Sequence, residues 1–309
     1  MKIAALQLST LPMSEAKLDY YFRICKQKEV EVVLLSEYAL NSFFKELESM
    51  PISMIKEQSN HKIEVLKKLC AEYDLHVIAP IVNVKGEFCY KCNAHFSPKS
   101  VHFFDQQFLI NYKHWNEEKF FANTVSKYTL PLFLLGGIRF GIVSGYELHF
   151  DTVWMEVMKK NVDVVLTATS STFDSARRWE ELLKMRAMLN NVYILRANRV
   201  GSYKEEETWQ FYGQSSLISP FGDVELTLGD KEEMLVATIE KRVLLKHENF
   251  GDGKNKSVKG KRYDALFPQA SPAVGRGNTR EFTNQKNRHH RLWRSWKLFS
   301  VCFRKFGYW

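Results

Sequence analysis

No stretch of this 309-residue chain approaches the roughly 20 uninterrupted apolar residues that a bilayer-crossing helix needs, so no transmembrane segment is expected. The opening residues, MKIAALQLST, carry neither a basic leader nor a long apolar run, and no signal peptide is expected. Cysteine is sparse: five residues (Cys25, Cys70, Cys89, Cys92 and Cys302), odd in number and unevenly spaced. That usage argues against a disulfide framework and fits a reduced, cytoplasmic setting. No glycine-rich phosphate loop, internal repeat or low-complexity tract is found. Acidic residues are nearly missing from the last segment, where 268–309 holds nine Lys and Arg against the single acid Glu281. The remaining 1–267 carry 35 basic and 34 acidic residues, so the basic character of the chain belongs to its tail.

What is present is a globular composition, with 45% hydrophobic and 26% charged residues. Short, often β-branched runs bounded by turn residues predict strands at Ile3–Leu8, Val30–Leu35, His76–Val82, Phe88–Phe96, Ile138–Val143, Val162–Ala168, Val192–Ala197, Gln214–Ser219 and Met234–Ile239. Helical spacing predicts helices over Ser14–Lys28, Asn60–Tyr73 and 175–190. The last of these places Trp179, Leu182, Leu183, Met185 and Leu189 near one stripe. Alternating helices and strands imply an α/β architecture. Hairpin-like pairs over 77–96 and 214–239 imply mixed sheets.

Three positions attract attention because each ends or interrupts an apolar strand. Glu37 closes VEVVLLSEY, where a partly desolvated carboxylate suits a general base. Lys113 closes FLINYKHW, where an ammonium could stabilise an oxyanion. Taken singly, each is also an ordinary surface charge at a strand end. The third is RFGIVSGYELHF, residues 139–150, a strand running into a sharp turn of the kind that holds nucleophiles, yet with Gly145 at its apex.

The combination resembles the carbon–nitrogen hydrolase (nitrilase/amidase) superfamily. MKIAALQLST is similar to its opening strand, VVLLSEY to its glutamate strand, and GEFCYKCNAHFSPKSVHFFDQQFLINYK to the hairpin and strand leading to its lysine. GGIRFGIVSGYELHF resembles its nucleophile elbow. RWEELLKMRAMLNNVYILRANRVG and FYGQSSLISPFGDV resemble its distal helix–strand and closing hairpin. The resemblance spans about residues 1–245. It implies a four-layer α-β-β-α sandwich over 1–267, with two mixed sheets flanked by helices and an accessory tail at 268–309. It also implies hydrolysis of a non-peptide C–N bond in a small amide, N-carbamoyl compound or nitrile. Glu37 would be the base, Lys113 the oxyanion-stabilising lysine and Glu118, or its neighbour Glu117, the second glutamate. Tyr146, Glu147 and His149 would line the substrate pocket. No cofactor and no metal are implied, and homodimers or larger homo-oligomers are expected.

The family nucleophile is a cysteine directly before the aromatic–acid pair, and here that position is Gly145. Glycine offers no nucleophile, and losing one removes several orders of magnitude in rate. Strand alternation should turn Ser144 away from the direction of residue 145, which argues against a substitute serine. Glycine is also tolerated at strained elbows. An inherited site would leave a thiol-sized space at 145 with charged groups aimed at it. Two readings follow: an impaired hydrolase, or an inactive relative that binds a ligand or acts as an oligomeric scaffold.

Other candidates are weaker. Cys89-x-x-Cys92 with His95 and His102 offers metal-ligand types, but irregular spacing within a hairpin favours buried thiols. His114 would lie at the site mouth, and Arg177 or Arg178 could meet a substrate carboxylate. The tail RHHRLWRSWKLFSVCFRKFGYW mixes cations with aromatics. It suits weak contact with an anionic membrane, nucleic acid or a partner subunit, or it is an appendage without a selected role.

Overall fold

The computed structural model describes residues 1–124, 127–172, 175–204 and 208–240. In chain order these form β1 (Lys2–Gln7), α1 (Ala16–Gln27), β2 (Val30–Leu35), α2 (Phe44–Leu47), α3 (Ile52–Tyr73), β3 (His76–Lys85), β4 (Phe88–Phe96) and β5 (Val101–Asp105). There follow β6 (Leu132–Leu135), β7 (Ile138–Ser144), α4 (Asp151–Lys159), β8 (Val164–Thr169), α5 (Ala176–Asn190), β9 (Tyr193–Asn198), β10 (Val200–Lys204), β11 (Thr208–Tyr212), β12 (Ser216–Ile218), β13 (Val224–Thr227) and β14 (Glu233–Thr238). The basic tail lies outside the described residues. Among the described residues no helix is long and apolar enough to cross a membrane.

Two six-stranded sheets stack face to face, in the orders β14-β1-β2-β3-β4-β5 and β13-β12-β9-β8-β7-β6. In each, three central strands are parallel (β1-β2-β3 and β7-β8-β9) and antiparallel strands close the edges, so both sheets are mixed. The near-continuous apolar runs of the central strands follow from burial on both faces. One face of each packs into the space between the sheets, where Ile3, Ala5, Val32 and Leu34 meet Phe140, Ile142, Leu166 and Leu195. The other face is covered by helices: α1 and α3 on the first sheet through Leu18, Phe22, Leu66 and Leu69, and α4 and α5 on the second through Trp154, Val157 and Leu183. The result is the expected α-β-β-α sandwich.

Two details differ from the sequence reading, and the buried cysteines agree with it. The 214–239 segment is not one hairpin: β12 pairs with β13, while β14 crosses to the other sheet and pairs with β1. Of the stripe expected on α5, Leu183 is buried, but Met185 and Leu189 are 55% and 63% exposed. Only a narrow seam of this helix, Leu183 and Ala187, reaches full burial. The Cys89 and Cys92 thiols are buried in the β3–β4 hairpin, and Cys92 Sγ donates to the Ile81 carbonyl. Burial pushes the Cys92 thiol up to about 12. Among the described residues no group of three or more His, Cys, Asp or Glu is placed to hold a metal ion.

Odd-numbered residues of β4 (Lys91, Asn93 and His95) face the second sheet, while Cys92, Ala94 and Phe96 join the core under α1 and α3. His95 stacks on Phe133 at 4.1 Å between ring centres, and its Nε2 lies 3.0 Å from Nδ1 of His76. Burial, then His76 and His102, lowers the His95 pKa from 6.5 to about 4. Between those values the unfolded chain holds a proton that the folded chain does not. Stability is therefore full above about pH 6.5 and lost as pH falls toward 4, by on the order of 2–3 kcal/mol. Urea midpoints measured from pH 7 to 4 should fall accordingly, and His95→Phe should flatten that part of the profile.

Candidate active site

The candidate site sits at the carboxyl ends of the parallel strands, where open α/β sheets commonly place their chemistry. Glu37 follows β2 by two residues. Ser170 directly follows β8, and Gly145 directly follows β7. An aromatic wall encloses this end: Phe43, packed edge-on or tilted against Tyr38, Trp115, Trp209 and Phe211 at 5.0–5.6 Å.

Within that wall lies a buried ionic cluster. Lys91 Nζ is 2.6 Å from Glu37 Oε1 and 2.6 Å from Glu117 Oε1. Glu117 is fully buried and heavily engaged. Its Oε1 also accepts from the Tyr38 hydroxyl at 2.8 Å and the Trp115 indole N–H at 3.1 Å, and its Oε2 accepts from the Ile110 amide at 3.3 Å. Glu37 has fewer partners: Lys91 on one oxygen and the Ser170 hydroxyl, at 2.6 Å, on the other. Burial opposes the charge on Lys91, but Glu117 and Glu37 more than offset it and hold its pKa above the ordinary lysine value. Burial first, and then the two carboxylates, push the Tyr38 phenol well above its usual range. Glu117 is thus a fixed clamp, while Glu37 and the remaining N–H of Lys91 are the groups with capacity for another molecule.

The structure does not bring Lys113 or Glu118 into this cluster. Tyr112 and Trp115 exchange backbone hydrogen bonds of 2.9 and 3.2 Å, which makes Lys113 and His114 the exposed tip of a tight turn. Glu118 is also exposed and accepts from the Asn111 side chain. Glu117 and Glu118 share a 3-10 turn over Glu117–Lys119, and only the first points inward. The lysine that meets Glu37 is Lys91, on a different strand, and the sequence reading missed it. Its signal was the polar row Lys91, Asn93, His95 at alternate positions of FCYKCNAHF, beside a neighbouring strand, HVIAPIV, with no polar face of its own.

The elbow is well ordered by hydrogen bonds. The buried Glu147 carboxylate accepts from the backbone amides of Gln107 (2.7 Å), Ser144 (3.0 Å) and Phe108 (3.3 Å). Burial raises its pKa despite those donors, and its hydrogen bonds tie the elbow to Gln107 and Phe108. Ser144 points across to the facing sheet, where its Oγ accepts from Asn93 Nδ2 at 2.8 Å. Gly145 opens a 3-10 turn, Gly145–His149, at which strand alternation ends. Tyr146 is half-buried and packs near Tyr112 (5.9 Å) and Phe150 (5.3 Å). The exposed His149 donates from Nδ1 to the Tyr146 carbonyl and meets Trp179 edge-on at 5.3 Å.

The space where a side chain at 145 would begin is already filled. A Cβ added to Gly145 would lie 2.5 Å from Cγ2 of Thr169 and 3.1 Å from the Ala168 carbonyl oxygen. Gly145 is not among the positive-φ glycines, so the limit here is space rather than backbone strain. The Thr169 hydroxyl is held in turn. It donates to Asn198 Oδ1 at 2.7 Å and accepts from Arg196 Nε at 2.9 Å.

Comparison with known families decides the assignment of this fold. The carbon-nitrogen hydrolase family model matches residues 2–244. The chain belongs to that family. A curated relative, the hydrolase in the agr operon of Staphylococcus lugdunensis, is 23% identical over 221 residues, covering 70% of this chain and 90% of the relative. The carbon-nitrogen hydrolase from Helicobacter pylori G27 shares the fold with a TM-score of 0.71 at 15% identity, covering 86% of this chain and 98% of that one. So does a glutamate-to-glutamine mutant of the amidase from Nesterenkonia sp. AN1, with a TM-score of 0.68 at 17% identity, covering 81% and 99%. In that amidase structure acrylamide has added to the active-site cysteine. The carbon-nitrogen hydrolase fold is therefore retained here around an elbow whose apex carries no side chain.

Proposed function

We propose that this chain keeps the charged pocket of a carbon-nitrogen hydrolase and uses it to hold a small amide, N-carbamoyl compound or nitrile without thiol-based turnover. The observation that carries this reading is the Thr169 γ-methyl in the space a side chain at 145 would need. An impaired enzyme awaiting only its cysteine would leave that space open. In the proposed complex the free N–H of Lys91 donates to the ligand's carbonyl oxygen or nitrile nitrogen. Glu37 accepts from an amide N–H, and Glu117 holds Lys91 in place. These are the groups that would serve base and oxyanion chemistry if a nucleophile were present.

A panel of small amides, N-carbamoyl amines and nitriles tests this by calorimetry and ammonia release. The expected result is binding without ammonia, with affinity reduced roughly tenfold in Glu37→Gln, the usual worth of one charge-assisted hydrogen bond. Ammonia release by the natural protein that disappears in Glu37→Gln would overturn the reading in favour of catalysis.

One observation favours a second reading under that outcome. The Ser170 hydroxyl donates to Glu37 at 2.6 Å, a nucleophile-and-base contact within hydrogen-bond reach. If turnover is found, its loss in Ser170→Ala, together with labelling of Ser170 by a fluorophosphonate, would assign the attack to this hydroxyl.

A further inference from the structure

Arg196 is 2% exposed, near the carboxyl end of β9, and among the described residues its guanidinium is held by neutral groups. Nε donates to Thr169 Oγ1 at 2.9 Å, and Nη2 donates to Ser171 Oγ at 2.8 Å and to the Tyr212 hydroxyl at 3.0 Å. Its Cζ lies over the rings of Trp179 and Tyr212, 5.0 Å and 5.6 Å from their centres. Among the described residues no carboxylate pairs with it, and its Nη1 group has no hydrogen-bond partner. The contrast with Arg199 three residues on is informative. Arg199 is also buried, but Glu46 and Glu37 act on its charge.

A buried cation is ordinarily compensated by an anion, because hydroxyls and aromatic faces do not replace what water supplied. The arrangement fixes the guanidinium plane, engages three of its five N–H groups and leaves the two on Nη1 for something else. Its location is equally specific. The hydroxyl of Thr169 meets Arg196, and the γ-methyl of the same residue abuts the position of the missing side chain at 145. Trp179, whose ring lies under the Arg196 cation, also meets His149 of the elbow edge-on. Arg196 therefore sits one residue away from the apex at which a ligand's reacting carbon would lie.

We infer that Arg196 is the anchor for a carboxylate on the ligand, so that the pocket selects amides or carbamoyl compounds that also carry an acid group. This rests on the pocket reading above and names its substrate class. The carboxylate accepts from Nη1 of Arg196, with the hydroxyls of Ser171 and Tyr212 fixing the fork. The uncharged end of the ligand reaches Lys91 and Glu37. Arg177 and Arg178, the arginines that the sequence brought forward for this task, are exposed on the first turn of α5.

Succinamate, which has an amide at one end and a carboxylate at the other, and neutral succinamide are suitable probes for calorimetry on the full chain. Succinamate should bind at least roughly tenfold more tightly, the ratio given by about 1.4 kcal/mol. That preference should vanish in Arg196→Met and shrink in Tyr212→Phe, which keeps the cation and removes one of the hydroxyls that orient it. Circular dichroism of both variants separates loss of binding from loss of fold. If Arg196→Met does not fold, the Tyr212→Phe ratio decides.

Equal affinity for the two probes, unchanged in both variants, overturns the assignment of Arg196 while leaving the pocket reading intact. Succinamate binding that depends on Arg196, is matched by plain butyrate and is indifferent to Glu37→Gln supports the anion site and overturns the amide reading. Binding of neither probe overturns both.

Discussion

Lys91→Met is expected to lower stability by about 3–5 kcal/mol, the cost of leaving buried carboxylates without their cation, whereas Lys113→Met should change it by less than about 0.5 kcal/mol. The difference follows from where the two ammonium groups lie. Lys91 is buried between Glu37 and Glu117 at 2.6 Å from each, and Lys113 is at the tip of an exposed turn. Removing Lys91 leaves two carboxylates facing each other in a space walled by Tyr38, Trp115 and Phe43. Their hydrogen bonds from Tyr38, Trp115 and Ser170 do not replace a full charge. The double change Lys91→Met/Glu117→Gln should recover part of the loss by removing one of the stranded charges, a coupling visible in a double-mutant cycle. Urea titrations of these three variants and of Glu117→Gln beside the natural chain provide the measurement. A Lys113→Met penalty as large as that of Lys91→Met would sink this account of the cluster.

Installing a thiol should require two substitutions. Gly145→Cys alone forces its Cβ to within 2.5 Å of the Thr169 γ-methyl, an overpacking expected to cost about 1–3 kcal/mol. Thr169→Ser removes that methyl and keeps the hydroxyl that joins Arg196 to Asn198. In Gly145→Cys/Thr169→Ser the tightest remaining neighbours are the Ala168 carbonyl at 3.1 Å and Cβ of residue 169 at 3.4 Å, within reach of small adjustments. The double variant should regain the stability lost by the single one. With a nucleophile beside Glu37 and Lys91, ammonia release should rise by roughly three orders of magnitude or more over the natural chain. Iodoacetamide labelling at position 145, followed by mass spectrometry, reports whether the thiol is reachable. A single Gly145→Cys variant that is fully stable and as active as the double would show that Thr169 does not obstruct the apex.

The fold was readable because its central strands are buried on both sides, and continuous apolar runs such as VEVVLL and KIAALQ declare that. The edge strands β5, β6 and β13 escaped notice because half-exposed strands such as Val101–Asp105 mix residue types without a clean alternation. In the site, Glu37 was evident from its place at a strand end. Lys113 drew attention for the same reason, but a position after a strand does not say whether the next turn is long or tight. Here the mutual hydrogen bonds of Tyr112 and Trp115 close it in two residues. Glu117 and Glu118 are adjacent, so choosing between them needed the orientation of one short turn. Arg196 stands within an otherwise apolar run, YILRAN, and reads as a strand-end charge until its neighbours are seen.

The methyl group of Thr169 also bears on how the apex can change. With glycine at 145, the γ-methyl of Thr169 occupies the space a side chain there would need, and each residue makes the other costly to change. A lone reversal at 145 meets a steric wall, and a lone trimming at 169 leaves a hole about the size of a methyl, worth about 1 kcal/mol. Either first step toward a thiol passes through a less fit intermediate. The pair therefore acts as a ratchet: with both residues in place, single substitutions favour keeping the apex without a side chain.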